Sequence, residues 1–380
     1  MDLSEARARI DEIDRQLVEL FCQRMTVSRD VAAWKKENNL PLTDPERERN
    51  KLVEVARQAG EEFQGYTAAL YSQLFDLSKA YQAQLNRGKA PLCTVIEEAI
   101  ARTPEVFPEF ASVACQGVEG AYSQQACEKL FSVPDILYFK NFEGVFTAIE
   151  KGMCRYGVLP IENSTADSVN AVYDLMMRHR FYIVRSVRMK VDHCLLAPAG
   201  TEIRDLREIV SHEQALNQCA EFLKSLGNVK LTVFENTAAA AKYVAQSGRK
   251  DVAALSSRHC AALYGLSCLK ESVQDQRGNF TRFICIAREP EIYPGADKTS
   301  FMAVTPHKPG SLYKLLSRFF SLGINLTKLE SRPLPEREFE FMFYFDLEKP
   351  IRAPQMISLL GELEELCERF EYLGSYSEIV

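Results

Sequence analysis

The chain has 380 residues, of which 46% are hydrophobic and 26% charged, the composition of a globular protein with two or three domains. Its net charge of −6 provides no general basic surface, so we expect no nucleic-acid partner, and local arginines must meet any anionic ligand. The 11 cysteines include no C-x-x-C pair, which predicts free thiols in a reducing compartment. Without a signal-peptide core or an apolar run of membrane-spanning length, we expect a cytoplasmic protein and no membrane contact.

The first 88 residues are predicted to be all-α. Apolar residues recur at helical spacing from residue 4 to about 38, with no proline or glycine among them. Such a helix would be about 50 Å long, longer than a domain of this size is wide. We therefore expect an intertwined dimer. A second helix should begin at Asp44-Pro45 and end at Gly60, and a third should run from about residue 62 to 85.

Several polar side chains on these helices have a spacing that suggests a site. Arg24 and Lys35 lie three turns apart on one face, and Arg7 falls about a quarter-turn away. A solvated helix face is the alternative interpretation of these cations. The whole set resembles the all-helical chorismate mutase family over roughly residues 3–88. The positions that match the family site are Arg7, Arg24, Lys35, Asp44, Arg47, Glu48, Ser78 and Gln82.

The resemblance implies a pericyclic rearrangement of chorismate to prephenate. This reaction needs no nucleophile, only a held conformer and stabilisation of charge on the ether oxygen. The arginines would bind the two carboxylates, and Lys35 and Gln82 would donate to the ether oxygen. Glu48 would accept a hydrogen bond from the substrate hydroxyl. In the family, Arg7 comes from the partner chain.

Residues 89–110 are expected to be a linker, with a helix from about Thr94 to Ala101. Short apolar strands then alternate with helices over 111–290, which predicts an α/β domain with a parallel sheet. No glycine loop in the sequence matches G-x-G-x-x-G, so a nicotinamide dinucleotide site is not predicted.

Polar residues follow the ends of several predicted strands in this region. The run Gly157–Ile161 is followed by Glu162, Asn163, Ser164 and Thr165 and then by a helical pattern. Hydroxyls beside a helix N-terminus could receive a carboxylate, although a simple cap and turn would explain the same residues. Comparable junctions are G-V-E-G-A-Y-S at 117–123, S-H-E-Q at 211–214, E-N-T-A at 235–238 and N-F-T-R-F at 279–283. The S-x-x-Q spacing at 211–214 also predicts a capping box.

Together, these pieces resemble the prephenate dehydratase family over residues 111–288. The marks of that family appear here, in the family's order, as G-V-E-G-A-Y-S, P-I-E-N-S-T-A, S-H-E-Q-A-L-N-Q-C, A-A-L-S, Y-G-L and N-F-T-R-F. The family fold is two α/β lobes, like those of periplasmic binding proteins, with the active site in the cleft between them. The resemblance implies loss of the ring hydroxyl and CO2 from prephenate to form phenylpyruvate. Thr281 would be the critical hydroxyl and Glu162 a second catalytic group. The other implied substrate contacts are Asn163, Ser164, Thr165, Gln214 and Arg282, the last orienting either substrate or loop.

Three questions about this domain stay open. Asp167 stands where the family usually has glycine or another small residue. A carboxylate there could repel the anionic substrate or cap the following helix, and we expect the cap. The residue that gives the proton to the leaving hydroxyl is not identified. Arogenate is the alternative dehydratase substrate.

Residues 298–380 are predicted to form the βαββαβ order of a ferredoxin-like α+β domain. This segment resembles an ACT regulatory domain, with Gly310-Ser311-Leu312 and Glu330-Ser331-Arg332-Pro333 as its motifs. The resemblance implies that these residues, from Gly310 to Leu312 and from Glu330 to Arg332, bind the effector L-phenylalanine.

The combined prediction is a bifunctional chorismate mutase–prephenate dehydratase of phenylalanine biosynthesis with feedback inhibition. Neither reaction calls for an organic cofactor or a metal, and we expect none. A homodimer is expected, and a tetramer is left open. The rival interpretation is a non-catalytic phenylalanine sensor.

Overall fold

The computed structural model describes residues 2–38, 40–41, 44–86, 90–165, 167–276, 278–334, 340–353 and 355–380. The chain divides into two compact units, Met1–Pro91 and Leu92–Val380. Within the described parts of both units, no helix is long and apolar enough to cross a membrane.

The first unit is helical, as predicted. Helix α1 spans Leu3–Glu37, and α2 spans Pro45–Asn86 with a break at Gly60, where φ is 75° and ψ is 171°. The side chains of Glu48 and Lys79 lie 3.0 Å apart although 31 residues separate them in sequence. A straight helix would hold them about 46 Å apart, so the two halves of α2 fold back on each other at the break.

The second unit begins with a lobe built on one seven-stranded sheet. Its strand order is β16-β5-β11-β3-β1-β2, with the short β4 paired to β3. The strands are β1 Phe110–Gln116, β2 Val133–Phe139, β3 Tyr156–Asn163, β4 Asp167–Ser168, β5 Tyr182–Lys190, β11 Phe280–Ala287 and β16 Glu378–Ile379. The helices of this first lobe are α4 Tyr122–Leu130, α5 Phe142–Glu150 and α6 Asn170–Met176.

The second lobe has a five-stranded sheet in the order β10-β6-β9-β7-β8. Its strands are β6 Cys194–Ala197, β7 Glu208–Ser211, β8 Lys230–Val233, β9 Val252–Ser256 and β10 Ser267–Lys270. Its helices are α7 Glu213–Gln218, α8 Ala220–Ser225, α9 Thr237–Gln246 and α10 Arg258–Tyr264. The chain crosses between the lobes twice, after β5 and after β10, which gives the predicted two-lobed arrangement.

The C-terminal domain has the predicted βαββαβ order. Its four-stranded sheet runs β13-β14-β12-β15, and both of its helices pack on one face. The elements are β12 Lys298–Val304, α11 Ser311–Ser321, β13 Asn325–Pro333, β14 Phe341–Glu348, α12 Met356–Leu366 and β15 Arg369–Tyr376.

The segment expected to be a linker contains a structural helix of this C-terminal domain. Helix α3, Pro91–Arg102, buries Leu92, Ile96 and Ala99 in the same core as α11 and α12. The thiol of Cys93 also donates to the Ile357 carbonyl at 3.4 Å. The expected linker at 89–110 therefore needs correction, because α3 is a third helix on that face.

The other face of the C-terminal sheet packs on the first lobe. Met302, Met342 and Tyr344 share one buried core with Ile284 and Ile286 of β11. In addition, β16 leaves the C-terminal domain and pairs in parallel with β5 of the first lobe. The two domains are thus joined by a common core and by a shared sheet.

A close backbone approach at Gly374 in this interface predicts a stability effect. A Cβ added at Gly374 would lie 2.2 Å from the Ile183 carbonyl oxygen, and φ there is +138°. We expect Gly374→Ala to lower the free energy of unfolding by about 2–4 kcal/mol, since backbone cannot move aside as a side chain can.

The matched control is Gly323→Ala, in the same domain. Gly323 also has a positive φ, but an added Cβ would meet nothing within 4 Å. Only the backbone cost of about 1 kcal/mol should appear there. Urea unfolding curves measure both variants, and equal losses would contradict the proposed clash.

Candidate active sites

The helical unit contains a cavity of about 910 Å³. It lies between α1 and the two halves of α2, and its wall carries both cations and acids. The expected residues that line it are Arg24, Lys35, Asp44, Arg47, Glu48, Ser78 and Gln82. Seven of the eight positions taken from the mutase pattern are therefore brought together in one chain.

Contacts within this cavity wall hold several of these side chains in place. The Arg24 guanidinium donates to the Ser78 hydroxyl and, at 3.3 Å, to the Leu74 carbonyl. The Asp44 carboxylate accepts from the Arg47 backbone N–H at 3.0 Å, which caps α2. Gln82 is buried, and its Oε1 has no hydrogen-bond partner among the described residues. Its amide oxygen is therefore an acceptor that the described residues leave unpaired.

Arg7 does not line this cavity. It is exposed on α1, seventeen positions before Arg24, which is about 25 Å along a helix axis. A contribution from Arg7 to the site therefore requires a second chain.

The second unit has a cleft cavity of about 390 Å³ lined by both lobes. Polar groups come from the N-terminal ends of helices and from the ends of β3 and β11. The apolar part of the wall includes Phe142, Pro160, Val169, Val191 and Phe283. Three of the expected residues, Asn163, Gln214 and Thr281, line it, and Thr165 lines an adjoining polar cavity of about 490 Å³.

A chain of side-chain hydrogen bonds fixes Thr281 in the cleft. The Asn163 amide donates to the Thr281 hydroxyl at 2.9 Å and to Asn279 Oδ1 at 2.8 Å. The Asn163 carbonyl oxygen accepts from the Thr165 hydroxyl at 2.8 Å. Within the described part of the chain, Thr281 uses its oxygen only as an acceptor. Its hydroxyl hydrogen is thus free to be donated to a ligand.

The network continues to residues that the sequence patterns did not single out. The Gln218 amide donates to the Thr165 hydroxyl at 2.8 Å, and Gln218 Oε1 accepts from the Asn279 amide at 3.0 Å. His193 Nε2 lies 3.1 Å from the same oxygen. Because that oxygen can only accept, Nε2 carries the proton and Nδ1 is a bare acceptor.

His193 is the least expected member of the site. Burial lowers the pKa of its imidazole, even though Gln218 and Asp192 act in the opposite direction. Nδ1 is buried without a partner among the described residues, and the ring lines the cleft. A lone histidine at a strand end gave no sequence signal, because its partners come from three other segments.

Glu162, expected as a catalytic group, and Arg282, expected as a substrate contact, lie on the opposite face of the sheet. Successive residues of a strand point to opposite faces, so Thr281 in the cleft places Arg282 behind it. The Arg282 guanidinium instead meets Glu162 at 3.1 Å, the Tyr376 hydroxyl at 2.6 Å and the buried Asp346. We therefore correct both assignments, because neither side chain lines the cleft.

Ser164 and the predicted capping box also need correction. The Ser164 hydroxyl donates to the Gly278 carbonyl at 2.7 Å and accepts from the Phe280 N–H at 2.9 Å, so it ties β3 to β11. The Ser211 hydroxyl donates to the Leu255 carbonyl at 2.6 Å, and the cap of α7 is His212. The side chain of Asp167 lies outside the described residues.

The described wall of the cleft has no positive side chain to offer an anion. None of the described residues that line it is a lysine or an arginine. Helix α4 begins there without a side-chain cap, at Tyr122 and Ser123, and the start of α9 at Asn236 and Thr237 also lines the cavity. Unpaired N–H groups at helix starts are favourable partners for a carboxylate.

The expected effector residues of the C-terminal domain are divided between two surroundings. Gly310, with φ 82°, precedes α11, and Ser311 and Leu312 open that helix. Glu330 instead accepts from the Ser168 hydroxyl at 2.6 Å, and Arg332 makes two bonds to Asp174 Oδ1, at 2.9 and 3.0 Å. Glu330 and Arg332 therefore contact the first lobe, while Ser331, between them, is exposed.

Family models match both catalytic regions. The model described as prephenate dehydratase matches residues 113–291, and the one described as chorismate mutase type II matches residues 6–83. Arogenate dehydratase 2 of Petunia hybrida is 41% identical over 281 residues, covering 70% of this chain and 71% of that protein. The chain belongs to the prephenate dehydratase family. It carries a chorismate mutase domain on the same polypeptide, so it is both an isomerase and a lyase.

Other similar proteins agree with the fold. Arogenate dehydratase/prephenate dehydratase 2 of Arabidopsis thaliana is 41% identical and covers 70% of this chain and 72% of its own length. A prephenate dehydratase from Arthrobacter aurescens, solved in complex with L-Phe, is 26% identical with a TM-score of 0.64, covering 70% of this chain and 90% of its own. GqqA, described as a quorum quenching acylase, is 33% identical with a TM-score of 0.64. The match covers 70% of this chain and 97% of GqqA.

The dehydratase geometry predicts the effect of removing the Thr281 hydroxyl. Thr281→Ala should lower kcat for prephenate by about 100-fold or more while leaving KM within a modest factor, as for a bond made mainly in the transition state. Thr281→Ser should recover part of the rate. Initial rates of phenylpyruvate formation measure both. An unchanged melting temperature is the control for folding, and a fully active alanine variant would exclude Thr281 from the chemistry.

The mutase geometry predicts independent sites and a pH effect. Lys35→Ala should remove most chorismate rearrangement and leave prephenate turnover intact, since Lys35 lines only the helical cavity. Gln82→Glu should rearrange chorismate faster in acid than at neutral pH, because a carboxyl donates only when protonated whereas the native amide always donates. Chorismate consumption across pH 4.5–8 is the measurement. A flat profile for Gln82→Glu would contradict the assignment.

Proposed function

We propose that the protein converts chorismate to phenylpyruvate in two consecutive steps and that L-phenylalanine inhibits it. The observation that carries this proposal is the presence of both sites on one chain. The product of the helical cavity, prephenate, is the substrate of the cleft.

In the first step the cavity holds a dianion. Arg24, Lys35 and Arg47 face the space, and charge-assisted bonds from them would seat the two carboxylates in the compact conformer. Lys35 and the amide of Gln82 would donate to the ether oxygen as negative charge grows there. Glu48 would accept from the ring hydroxyl. No proton has to move, which suits a wall of fixed charges.

In the second step the cleft expels a hydroxide equivalent and CO2 together. The C–O and C–C bonds break, the ring becomes aromatic, and one proton is consumed as the hydroxide leaves as water. The Thr281 hydroxyl would donate to the leaving oxygen. The ring carboxylate would lie against the apolar wall of Val191 and Phe283, where poor solvation favours its loss as a neutral molecule. The side-chain carboxylate would accept hydrogen bonds from the backbone N–H groups at the start of α4.

Arogenate is the second candidate substrate, because proteins named arogenate dehydratase are among the similar relatives. Arogenate carries an ammonium group where prephenate has a ketone. Glu235 lines the cleft and is exposed to it, so it could pair with that ammonium. The comparison of kcat/KM for the two substrates decides between them, and Glu235→Gln should weaken only arogenate if this pairing holds.

The test of the two-step proposal is a single incubation of the full chain with chorismate. Phenylpyruvate should appear after a short lag, and Thr281→Ala should accumulate prephenate in its place. Prephenate accumulation by the wild-type chain, with arogenate consumed when supplied, would select the arogenate alternative. No turnover of any of the three compounds would favour the non-catalytic sensor.

We also propose that the mutase site is completed by a second chain. Helix α1 buries only Ser28 and Ala32 of its described residues, while its apolar side chains are largely exposed, Ile10 at 56% and Leu20 at 60% among them. An amphipathic helix that leaves its apolar face uncovered requires a partner. A second copy of α1 would cover this face and bring Arg7 to the cavity. Sedimentation of the full chain tests this dimer.

In the proposed regulation, β13 connects the effector site to the first lobe. L-Phenylalanine would bind near Gly310 and Ser331, and the neighbouring residues on the same strand reach the first lobe through Ser168 and Asp174. A ligand can shift the dehydratase only if it binds one arrangement of these domains better than another. The ion pair of Arg332 with Asp174 is a contact that could differ between arrangements.

This route predicts two distinct classes of variant. Gly310→Val should abolish inhibition by weakening L-phenylalanine binding itself. Asp174→Asn should keep binding but raise the concentration for half-inhibition by about 5-fold or more, since a coupling free energy of 1–3 kcal/mol is typical. Calorimetric titration measures binding, and phenylpyruvate formation measures inhibition. Binding without any inhibition in the wild-type chain would refute the feedback assignment.

A further inference from the structure

Lys79 lies in the mutase cavity although the family pattern gave it no role. Its Nζ is 3.0 Å from Glu48 Oε2 and 3.0 Å from Asp76 Oδ1. The side chain lines the cavity together with Glu48 and Gln82. The ammonium group therefore forms a bridge between an acid at the cavity wall and an acid one turn before it on the second half of α2.

This bridge differs from the surface ion pairs of the same unit. The side chains of Lys79, Glu48 and Asp76 are 27%, 30% and 25% exposed, whereas those of Arg15 and Glu12 are 74% and 52% exposed. The Arg15 pair lies within one helical turn, while the Lys79–Glu48 pair joins the two halves of α2. Burial lowers the pKa of the Lys79 amine, but the hydrogen bonds that the ammonium donates to Glu48 and Asp76 outweigh this effect, and the pKa ends above its usual value. The group is therefore charged at neutral pH.

We propose that Lys79 is a positioning residue for the mutase reaction, which holds the Glu48 carboxylate in place for the substrate hydroxyl. This inference rests on the proposed role of Glu48 as that acceptor. Lys79 engages Oε2, and Oε1 of Glu48 has no hydrogen bond to any described residue, so Oε1 is available to the substrate. Glu48 lies in the first turn of α2, and without the bridge its side chain would be free to sample several rotamers.

Lys79 also offsets the negative charge of an acid in the cavity wall. The substrate carries two carboxylates, and the wall contains acids at Asp44, Glu46, Glu48 and Glu54. A carboxylate beside a dianion disfavours binding unless a cation compensates for it. The ammonium of Lys79 compensates for the charge of Glu48. Arg24, Lys35 and Arg47, which would bind the substrate, are not needed for this compensation. A neutral residue at position 79 should therefore weaken chorismate binding in the ground state and transition state alike.

The experiment compares variants of the full chain in chorismate consumption. Lys79→Met should lower kcat/KM by about 10-fold or more, mainly through KM, the size expected for loss of a charge-assisted contact to a cavity group. Lys79→Arg should stay within about 3-fold, because it keeps the charge. Arg29→Met removes an exposed cation of α1 that does not line the cavity, and it should stay within about 2-fold.

A double-mutant cycle with Glu48→Gln separates positioning from other roles. A neutral amide at position 48 needs no compensating ammonium, so Lys79→Met should cost less than about 2-fold in that background. An equal loss in both backgrounds would mean that Lys79 acts on the substrate directly, and it would overturn the proposal. Full activity of Lys79→Met would overturn it as well.

Folding and the parent assignment are checked separately. Prephenate turnover and the melting temperature of each variant report folding, and Asp76→Asn offers a milder change that loosens the same bridge. A loss that follows the melting temperature and adds independently to Glu48→Gln would indicate a structural role and overturn the proposal. Failure of the mutase assignment itself would show in the wild-type chain, which would then not consume chorismate.

Discussion

The arrangement of the dehydratase domain depends on one buried cation, Arg282. Burial alone would lower the pKa of its guanidinium, but Tyr376, Asp346 and other neighbours raise it well above the usual value. Asp346 is fully buried, and Glu378 lies 3.2 Å from Arg282 Nε. Removing one member of such a cluster leaves a bare buried charge, at a cost of about 3–5 kcal/mol. The cluster takes members from β11, β14, β15 and β16, so it binds the C-terminal domain to the sheet that carries the active site.

Strand alternation connects this cluster to catalysis. Thr281 and Arg282 are neighbours on β11, and their side chains point to opposite faces. Thr281 therefore lines the cleft, whereas Arg282 contacts the C-terminal sheet. A shift of the C-terminal sheet must move Asp346 and with it Arg282, and β11 cannot tilt at Arg282 without displacing Thr281. By linkage, a ligand that favours one position of the C-terminal domain is itself bound more tightly when the cleft is in the matching state. The proposed inhibition therefore needs no long chain of residues between the C-terminal domain and Thr281.

Much of this fold could be predicted from the sequence. The uninterrupted helical pattern of α1, the break at Gly60 and the βαββαβ order are local signals, and each is present in the structure. The motifs also placed Asn163 and Thr281 in one cleft. The same motifs misplaced Glu162 and Arg282, because a motif groups residues by sequence whereas a strand separates neighbours onto two faces. The alternation rule, applied to T-R in a strand, would have found this error.

Other features depended on contacts between distant segments and had no local signal. His193 and Gln218 join the site only because the segment between β5 and β6, the end of α7 and the residue before β11 meet there. Helix α3 has an ordinary amphipathic pattern, and the sequence does not tell that its partner is a domain 200 residues later. From the sequence alone, Lys79 would be interpreted as a solvated residue on a helix. Only the fold-back of α2 at Gly60 brings it to Glu48.

The walls of the two cavities differ in charge, since only the helical cavity carries lysines and arginines among its described lining residues, and the chemistry of the two reactions explains why. In the rearrangement both carboxylates persist, so cations such as Arg24 and Lys35 can hold them throughout without opposing the reaction. In the cleft, one carboxylate has to leave as CO2, and a cation paired with it would stabilise the reactant more than the transition state. A wall of amides, hydroxyls, helix starts and apolar side chains seats the other carboxylate and leaves the reacting one poorly solvated. Because strong cations that suit the first step would slow the second, two cavities of different charge on one chain are the physical solution to carrying out both.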